Sequence, residues 1–197
     1  MKTENKKVVT KIIYAFLFIV MIVAFIYLSE KYASNSVPKV SVIQDFYSEI
    51  KSDKFEVIRG KKFISLIKNG KSIVFIGNSN SEYSQKYIHE LETIIKKLDI
   101  DKIYYYDINN DKSQQNSNYY TIRELLNGYL TTTDSSQNNL FAPSLYIIDE
   151  GEVKYYNTET VATKNTETID DYWTKEKEEE FSKEISEAIK KYYLNNN

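Results

Sequence analysis

The chain has 197 residues, a formal net charge of −2 and no cysteine. This length allows one ordinary domain together with additional segments. A net charge close to zero gives no reason to expect a nucleic-acid partner, because proteins that bind nucleic acids usually carry a strongly basic surface. The absence of cysteine excludes disulfide bonds, dithiol redox catalysis and thiolate metal sites.

Residues 12–28 form an uninterrupted apolar run after a lysine-rich start at residues 1–11. The run is about 17 residues long, which is near the lower limit for a transmembrane helix. A cleaved signal peptide is the alternative, but its apolar core is usually shorter, and Ser29–Ala33 lacks a small residue at both cleavage positions. We therefore predict one uncleaved transmembrane helix. The excess of lysine before it predicts that residues 1–11 are cytoplasmic and that the rest of the chain lies outside the membrane.

Residues 29–53 are predicted to form a tether. Pro38 disfavours a helix at the residue before it, whereas apolar residues recur at helical spacing between Val40 and Ile50. This part of the tether is expected to form a short helix that either packs on the domain or lies near the membrane.

Residues 54–194 are predicted to form one α/β domain. Its first half alternates short β-branched or aromatic runs with amphipathic runs, which predicts strands alternating with helices. This order predicts parallel strands joined by crossover helices. The predicted elements are a strand at Phe55–Ile58, a helix at Lys61–Lys68, a strand at Ser72–Gly77, a helix from Glu82 to Leu98 and a strand at Lys102–Ile108.

The second half is predicted to contain a short helix, a β-hairpin and a long C-terminal helix. Tyr119–Tyr129 has the spacing of a helix, with Tyr120 on its inward face. Glu150 and Gly151 are predicted to form the hairpin turn between two alternating strands. The remaining predicted elements are strands at Phe141–Asp149 and Glu152–Asn157, polar loops at Asn109–Asn118 and Thr131–Asn139, and a helix at Asp171–Leu194.

The buried strand Ser72–Gly77 leads through a short polar loop into the segment Ser81–Ser84, where the next helix begins. Ser81 is predicted to be the N-cap of this helix and Glu82 an acidic residue of its first turn. Pro143, one of two prolines in the chain, directly precedes the first strand of the hairpin. This pattern resembles the strand–CxxC–helix core of thioredoxin-like proteins. It is similar to their membrane-anchored branch, the bacteriocin transport accessory proteins, with the two serines at the positions of the cysteines.

The resemblance implies a thioredoxin-like three-layer α/β fold over about Phe55–Tyr193, with a central mixed sheet between flanking helices. In this chain the transmembrane helix precedes that fold. The resemblance also implies a cis-proline at Pro143, and beside it a groove that holds extended peptide in relatives. An accessory role in export, assembly or immunity is implied as well. The binding residues carried over to this chain are Ser81, Glu82, Tyr83, Ser84, Ala142 and Pro143.

The residues at the loop do not predict catalysis. A serine hydroxyl cannot replace the thiolate of thiol–disulfide exchange, and a serine nucleophile needs a base within hydrogen-bond reach. The one histidine, His89, lies eight residues after Ser81, which is about 12 Å along a helix. Phe75 takes the position where thioredoxins often hold a buried carboxylate. We therefore predict no enzyme activity, no catalytic residue and no cofactor, with Ser81 and Ser84 as a helix cap and a first-turn hydroxyl.

One oxygen-rich segment is a candidate metal site. Asp107, Asn109, Asn110 and Asp111 could bind calcium weakly, but the spacing and glycine of an EF-hand loop are missing. A solvated loop is the preferred interpretation, and no metal site is predicted.

The predicted function is binding. The sequence favours a redox-inactive, membrane-anchored thioredoxin-like protein that binds a peptide or protein partner outside a bacterial cytoplasmic membrane. The alternative is a structural subunit of an envelope membrane complex with no working groove. An open apolar groove at Ser81, Tyr83, Ala142 and Pro143 would favour the first hypothesis. A groove filled by the chain's own tyrosine or phenylalanine would favour the second.

Overall fold

The computed structural model describes residue 14 and residues 16–24, 41–132, 138–159 and 168–195. The chain divides into two compact units, Met1–Ser41 and Val42–Asn197. In the first unit, residue 14 and residues 16–24 are helical with exposed side chains, whereas Ser41 is not helical and is half-buried. Within the described ranges no helix is long and apolar enough to cross a membrane. The remainder of the predicted transmembrane segment 12–28 and the whole of the predicted cytoplasmic segment 1–11 lie outside the described residues.

The second unit is built on a mixed sheet of five strands in the order β1-β3-β2-β6-β7. β1, β3 and β2 run parallel, whereas β6 is antiparallel to both β2 and β7. This confirms the predicted mixed α/β class and the parallel crossovers of the first half. The strands are β1 (Phe55–Ile58), β2 (Ser72–Gly77), β3 (Ile103–Asp107), β4 (Thr131–Thr132), β5 (Asn138–Asn139), β6 (Ser144–Asp149) and β7 (Glu152–Thr158), of which β4 and β5 form a separate pair.

Helices flank the sheet on both faces. A 3-10 turn at Ile43–Asp45 precedes β1, another follows at Asn127–Tyr129, and a π-helical turn at Lys190–Leu194 ends the fold. The α-helices are α1 (Gly60–Asn69), α2 (Glu82–Lys97), α3 (Ile108–Ser113), α4 (Ser117–Leu125), α5 (Ile169–Tyr172) and α6 (Lys175–Ile189).

The central strand β2 explains the three layers. Every residue of β2 is buried, and successive side chains of a strand point to opposite faces. Ile73 and Phe75 enter a core cluster with residues of α2 and α6. Val74 and Ile76 enter a second cluster with residues of α1 and α4. The apolar run Ile73–Ile76 is therefore explained by the helices that cover both faces of the strand.

The β6–β7 hairpin turns where the sequence predicts. Glu150 and Gly151 both have positive φ angles, 50° and 83°. Two consecutive residues in this region are typical of the tight hairpin turn that matches the twist of its strands. Glycine is suited to the second position because it adopts a positive φ without steric cost.

The segment before β1 packs on the domain. Ile43, Tyr47 and Ile50 are buried in the same core cluster as Phe75. The compact second unit therefore includes the last part of the predicted tether, residues 42–53. The apolar residues that recur in this stretch form the face that packs on the core. Part of the stretch, Ile43–Asp45, is a short 3-10 turn.

Four local predictions were wrong. The predicted loop Asn109–Asn118 contains α3 and the start of α4, and the predicted loop Thr131–Asn139 begins with β4 and ends with β5. Tyr120 is 42% exposed, and its neighbour Tyr119 takes the inward position. The predicted helix Asp171–Leu194 is interrupted at Thr174, whose side chain caps the new helix α6 by accepting a backbone N–H of its first turn. A capping side chain of this kind competes with helix continuation, which the apolar spacing alone does not show.

Glu92 on α2 fixes the incoming segment. This side chain is buried, and its Oε1 atom accepts the backbone N–H groups of Lys51 (3.1 Å) and Ser52 (2.7 Å). Lys96 lies 2.9 Å from the same oxygen. Burial acts to raise the pKa of Glu92, but the hydrogen bonds from Lys96 and Ser52 outweigh it, so the pKa is lowered. The ionised carboxylate therefore binds the segment before β1 to α2.

We expect Glu92→Gln to lower the free energy of unfolding by about 1–2 kcal/mol at neutral pH, because charge-assisted hydrogen bonds are lost. The lowered pKa means that this stabilisation is complete above the ordinary value of 4.5 and is lost as the pH falls through the folded-state pKa. Urea unfolding at a series of pH values should show the difference between wild type and variant shrinking below about pH 4.5. Glu187→Gln on the exposed face of α6 is the matched control. A difference that does not change with pH would contradict this assignment.

Candidate functional site

The two predicted parts of the site lie at one end of the sheet. β2 ends at Gly77 and leads into α2, whose N-cap is Ser81. The register pairs Ile76 of β2 with Ser144 of β6, so the residues next to this pair, Gly77 and Pro143, are adjacent at the same sheet end. The Ala142–Pro143 peptide bond is cis. The sheet thus places Pro143 beside the strand that leads into the loop.

The loop after β2 is held by its own hydrogen bonds. Ser84 is fully buried, and its hydroxyl oxygen accepts the backbone N–H of Asn78 at 3.1 Å. The N–H of Ser79 donates to the Asp107 carboxylate at 3.1 Å, and the N–H of Asn80 donates to the Asn78 side chain at 2.9 Å. These three backbone N–H groups are therefore engaged in hydrogen bonds that fix the conformation of the loop, and Ser84 supplies one of the acceptors.

Ser81 and Glu82 occupy the start of α2. Ser81 is at the N-cap position, as predicted, but its side chain makes no capping hydrogen bond. Glu82 is exposed in the first turn, where a carboxylate interacts favourably with the helix dipole. Of the two serines, the buried Ser84 has the clear structural role and Ser81 is partly exposed.

A set of buried hydroxyl groups lies under the loop. Tyr105 donates to the Asp107 carboxylate at 2.7 Å, and the Tyr105 and Tyr47 hydroxyl oxygens are 3.3 Å apart. The Ser84 side chain also acts on the Tyr47 hydroxyl, where it opposes part of the rise in pKa that burial causes. Burial raises the pKa of both tyrosines well above the usual range, so both phenols stay neutral. A neutral phenol with a raised pKa cannot serve as a general base for the Ser84 hydroxyl.

Gly77 makes room for this set of hydroxyl groups. A Cβ atom at this position would collide with the Tyr47 hydroxyl and lie 2.8 Å from the Tyr105 ring. The glycine that ends β2 is therefore required by the close approach of the two tyrosines. The sequence shows this glycine but not the reason for it.

The predicted peptide-binding face is in contact with other parts of the chain. Tyr83 is half-buried, and its ring packs edge-on against Tyr172 of α5 with the centroids 6.2 Å apart. Pro143 is buried, and its carbonyl oxygen accepts the Thr158 hydroxyl at 3.3 Å. Ala142 is half-buried. One of the chain's own tyrosines therefore covers part of the face assigned to peptide.

A groove that the sequence does not predict lies along α2. It has a volume of about 670 Å³, and its walls come from residues 46–50, from the first turns of α2, and from α5 with Trp173. We call it the α2 groove. Glu82 is the one predicted site residue that lines it. Its apolar lining residues are Phe46, Tyr47, Ile50, Ile88, Ile169 and Trp173, and its ionisable ones are Glu49, Glu82, Lys86, His89 and Asp170.

Three residues bear on possible catalysis or metal binding: Phe75, His89 and Asp111. Phe75 is buried between Tyr87 and Tyr105, with ring centroids 5.2 and 5.8 Å away. His89 is exposed on the wall of the α2 groove. The carboxylate of Asp111, a candidate calcium ligand, accepts hydrogen bonds from Tyr106 and Asn116, each at 2.6 Å. In the part of the chain that the structure describes, no three histidine or acidic side chains are grouped to hold a metal ion.

The two serines should respond differently to substitution. We expect Ser84→Ala to lower the free energy of unfolding by about 1–2 kcal/mol, because the half-buried Asn78 loses the acceptor of its backbone N–H. Ser81→Ala should change it by less than about 0.5 kcal/mol, since no capping bond is lost. Thermal or urea unfolding of both variants measures the difference. Equal effects would show that Ser84 does not hold the loop.

No protein-family model matches this chain, and no curated protein matches it. The thioredoxin resemblance therefore depends on the residues and on the order of elements, and the function must be inferred from the geometry of the site.

Proposed function

We propose that this chain is a redox-inactive, membrane-anchored protein whose thioredoxin-like domain binds a peptide or protein partner outside the cytoplasmic membrane. The observation that carries the proposal is the α2 groove, with its apolar floor and charged rim. Its volume of about 670 Å³ falls within the usual range of binding sites, about 300–1,000 Å³. A concave surface of this composition suits recognition and requires no reacting group.

The order of elements supports the thioredoxin-like part of the proposal. Parallel β1, β3 and β2 followed by an antiparallel β6–β7 hairpin are compatible with that fold. α2 follows β2 through the loop, with Ser81 at the N-cap and Ser84 three residues later. Pro143 lies directly before β6 with a cis peptide bond. The resemblance places the dithiol and the cis-proline of the family at these positions.

Binding without redox chemistry is supported by the loop itself. The chain has no cysteine, so it cannot form a mixed disulfide with a partner. Ser84 is buried, and its hydroxyl oxygen accepts the backbone N–H of Asn78 near the neutral phenol of Tyr47. Its hydroxyl therefore stabilises the loop and has no activating base among these partners.

The location is supported by the sequence at the start of the chain. The apolar run at residues 12–28 favours a membrane anchor, and the lysines before it favour a cytoplasmic N-terminus. The domain would then lie on the outer face of a bacterial cytoplasmic membrane. The resemblance to the anchored thioredoxin-like branch implies an accessory role in export, assembly or immunity.

A second candidate is a structural subunit of an envelope membrane complex in which no groove binds a partner. The contact between Tyr83 and Tyr172 favours it, because the chain's own side chain covers part of the predicted face. Pro143 is also buried, and its carbonyl oxygen accepts a hydrogen bond from the Thr158 hydroxyl. In this case the contacts with partners would lie on other surfaces, such as the exposed side of α6.

Site-specific photo-crosslinking in intact cells separates the two candidates. A photo-reactive residue is placed at Gln85 in the α2 groove, at Tyr83 on the loop face, or at the exposed Lys183 of α6. Adducts are identified by mass spectrometry and repeated with the purified partner. We expect one defined adduct from Gln85 and none from Lys183. An adduct from Lys183 alone would favour the structural subunit, and no adduct at any position would contradict partner binding at these surfaces.

A further inference from the structure

We propose that the α2 groove binds a basic peptide segment that carries lysine or arginine next to an apolar side chain. This inference rests on the proposed binding function and names the chemical class of the partner. It follows from the charges on the rim of the groove and from its apolar floor.

The rim carries uncompensated negative charge. Glu49, Glu82 and Asp170 line the groove, and all three are exposed. Within the described ranges none of them takes part in an ion pair. Carboxylates around a cleft with low-dielectric walls concentrate the field there and favour a cationic partner.

The lysine on the rim does not cancel this charge. The Nζ atom of Lys86 lies 2.7 Å from Glu90 and 2.5 Å from Glu178, so its charge is already paired. Burial acts to lower the pKa of Lys86, but the hydrogen bonds to Glu178 and Glu90 outweigh it and raise the pKa. Lys86 therefore stays charged within its own ion pairs, and the three rim carboxylates remain available to a ligand.

The floor of the groove is apolar. Ile50, Ile88 and Trp173 are at most 5% exposed, and the half-buried Phe46 and Ile169 extend this surface. A partner that used only the rim charges would leave this surface in contact with water. A side chain such as leucine or phenylalanine would gain about 25 cal/mol for each Å² of apolar area that it buries there.

Trp173 contributes its ring to the floor of the groove. Its indole Nε1 atom is buried and has no hydrogen-bond partner in the described part of the chain. Because this atom has almost no accessible surface, the part of Trp173 that lines the groove is the apolar indole ring. A peptide side chain that enters the groove can pack on this ring.

Other ligand classes fit these observations less well. A nucleic acid would bring phosphates close to the three carboxylates, which repel them. A metal ion would leave the apolar floor unused. A neutral lipid would use the floor but not the rim. The basic, partly apolar peptide is the class that uses both features.

The test is selection from a random peptide library on the full chain held in nanodiscs of neutral lipid, with empty nanodiscs for counter-selection. We expect the enriched peptides to carry lysine or arginine beside an aliphatic or aromatic residue. The best of them should change the fluorescence of Trp173, the only tryptophan in the chain. Raising the salt concentration from about 50 mM to about 500 mM should weaken its binding.

A matched pair of variants assigns the charge effect to the groove. Glu82→Gln with Asp170→Asn removes two rim carboxylates, and Glu176→Gln with Glu180→Gln removes two exposed carboxylates of α6. Both changes alter the net charge equally. The groove variant should bind the selected peptide about three- to tenfold more weakly, whereas the α6 variant should bind as the wild type does. Circular dichroism and unfolding curves check that both variants fold.

The possible outcomes separate this inference from the proposed function. Enrichment of neutral or acidic peptides, or equal binding by the two variants, would overturn the basic-peptide inference and leave peptide binding in place. No enrichment of any peptide on the full chain would overturn both. Enrichment of basic peptides with loss of affinity only in the groove variant would support both.

Discussion

The domain depends on the complete burial of β2. Helices cover this strand on both faces, so its side chains divide between two separate cores. Ile73 and Phe75 belong to one core, and Val74 and Ile76 belong to the other. Because the four positions Ile73–Ile76 face apolar surroundings, a charged residue there would need a buried partner. Phe75 illustrates this constraint, since it is stacked between two tyrosines at a position where a carboxylate would have neither solvent nor a counter-charge.

The segment before β1 completes the site as well as the core. Tyr47 reaches the buried Ser84 and Tyr105 under the loop, and Glu92 binds the backbone at Lys51 and Ser52. The same segment supplies one wall of the α2 groove. Loop, groove and incoming chain are therefore one connected structure, and the groove exists only because this segment packs on α2.

The sequence predicted the parts of the fold that local patterns determine. β2 and α2 followed from an apolar run and from an apolar helical face, and the turn at Glu150 and Gly151 followed from its position between alternating strands. The α2 groove could not be predicted, because three segments far apart in sequence form its walls. Tyr119 and Tyr120 show a similar limit, since neighbouring tyrosines on a helix differ by about 100° in direction and composition does not decide which one is buried. Only Glu82 of the predicted site residues lines the α2 groove, because the resemblance predicts a groove beside Pro143.

The placement of Glu92 has a mechanical consequence. Residues 42–53 are the only covalent route by which a pull on residues 1–41 reaches the sheet. Along that route the load first meets the 3-10 turn at Ile43–Asp45 and then the two N–H groups held by Glu92, before it reaches β1. Tension would thus act on one wall of the groove, and on the core contacts of Ile43, Tyr47 and Ile50, before it reached the five-stranded sheet. A force on the first part of the chain would therefore be felt at the groove first.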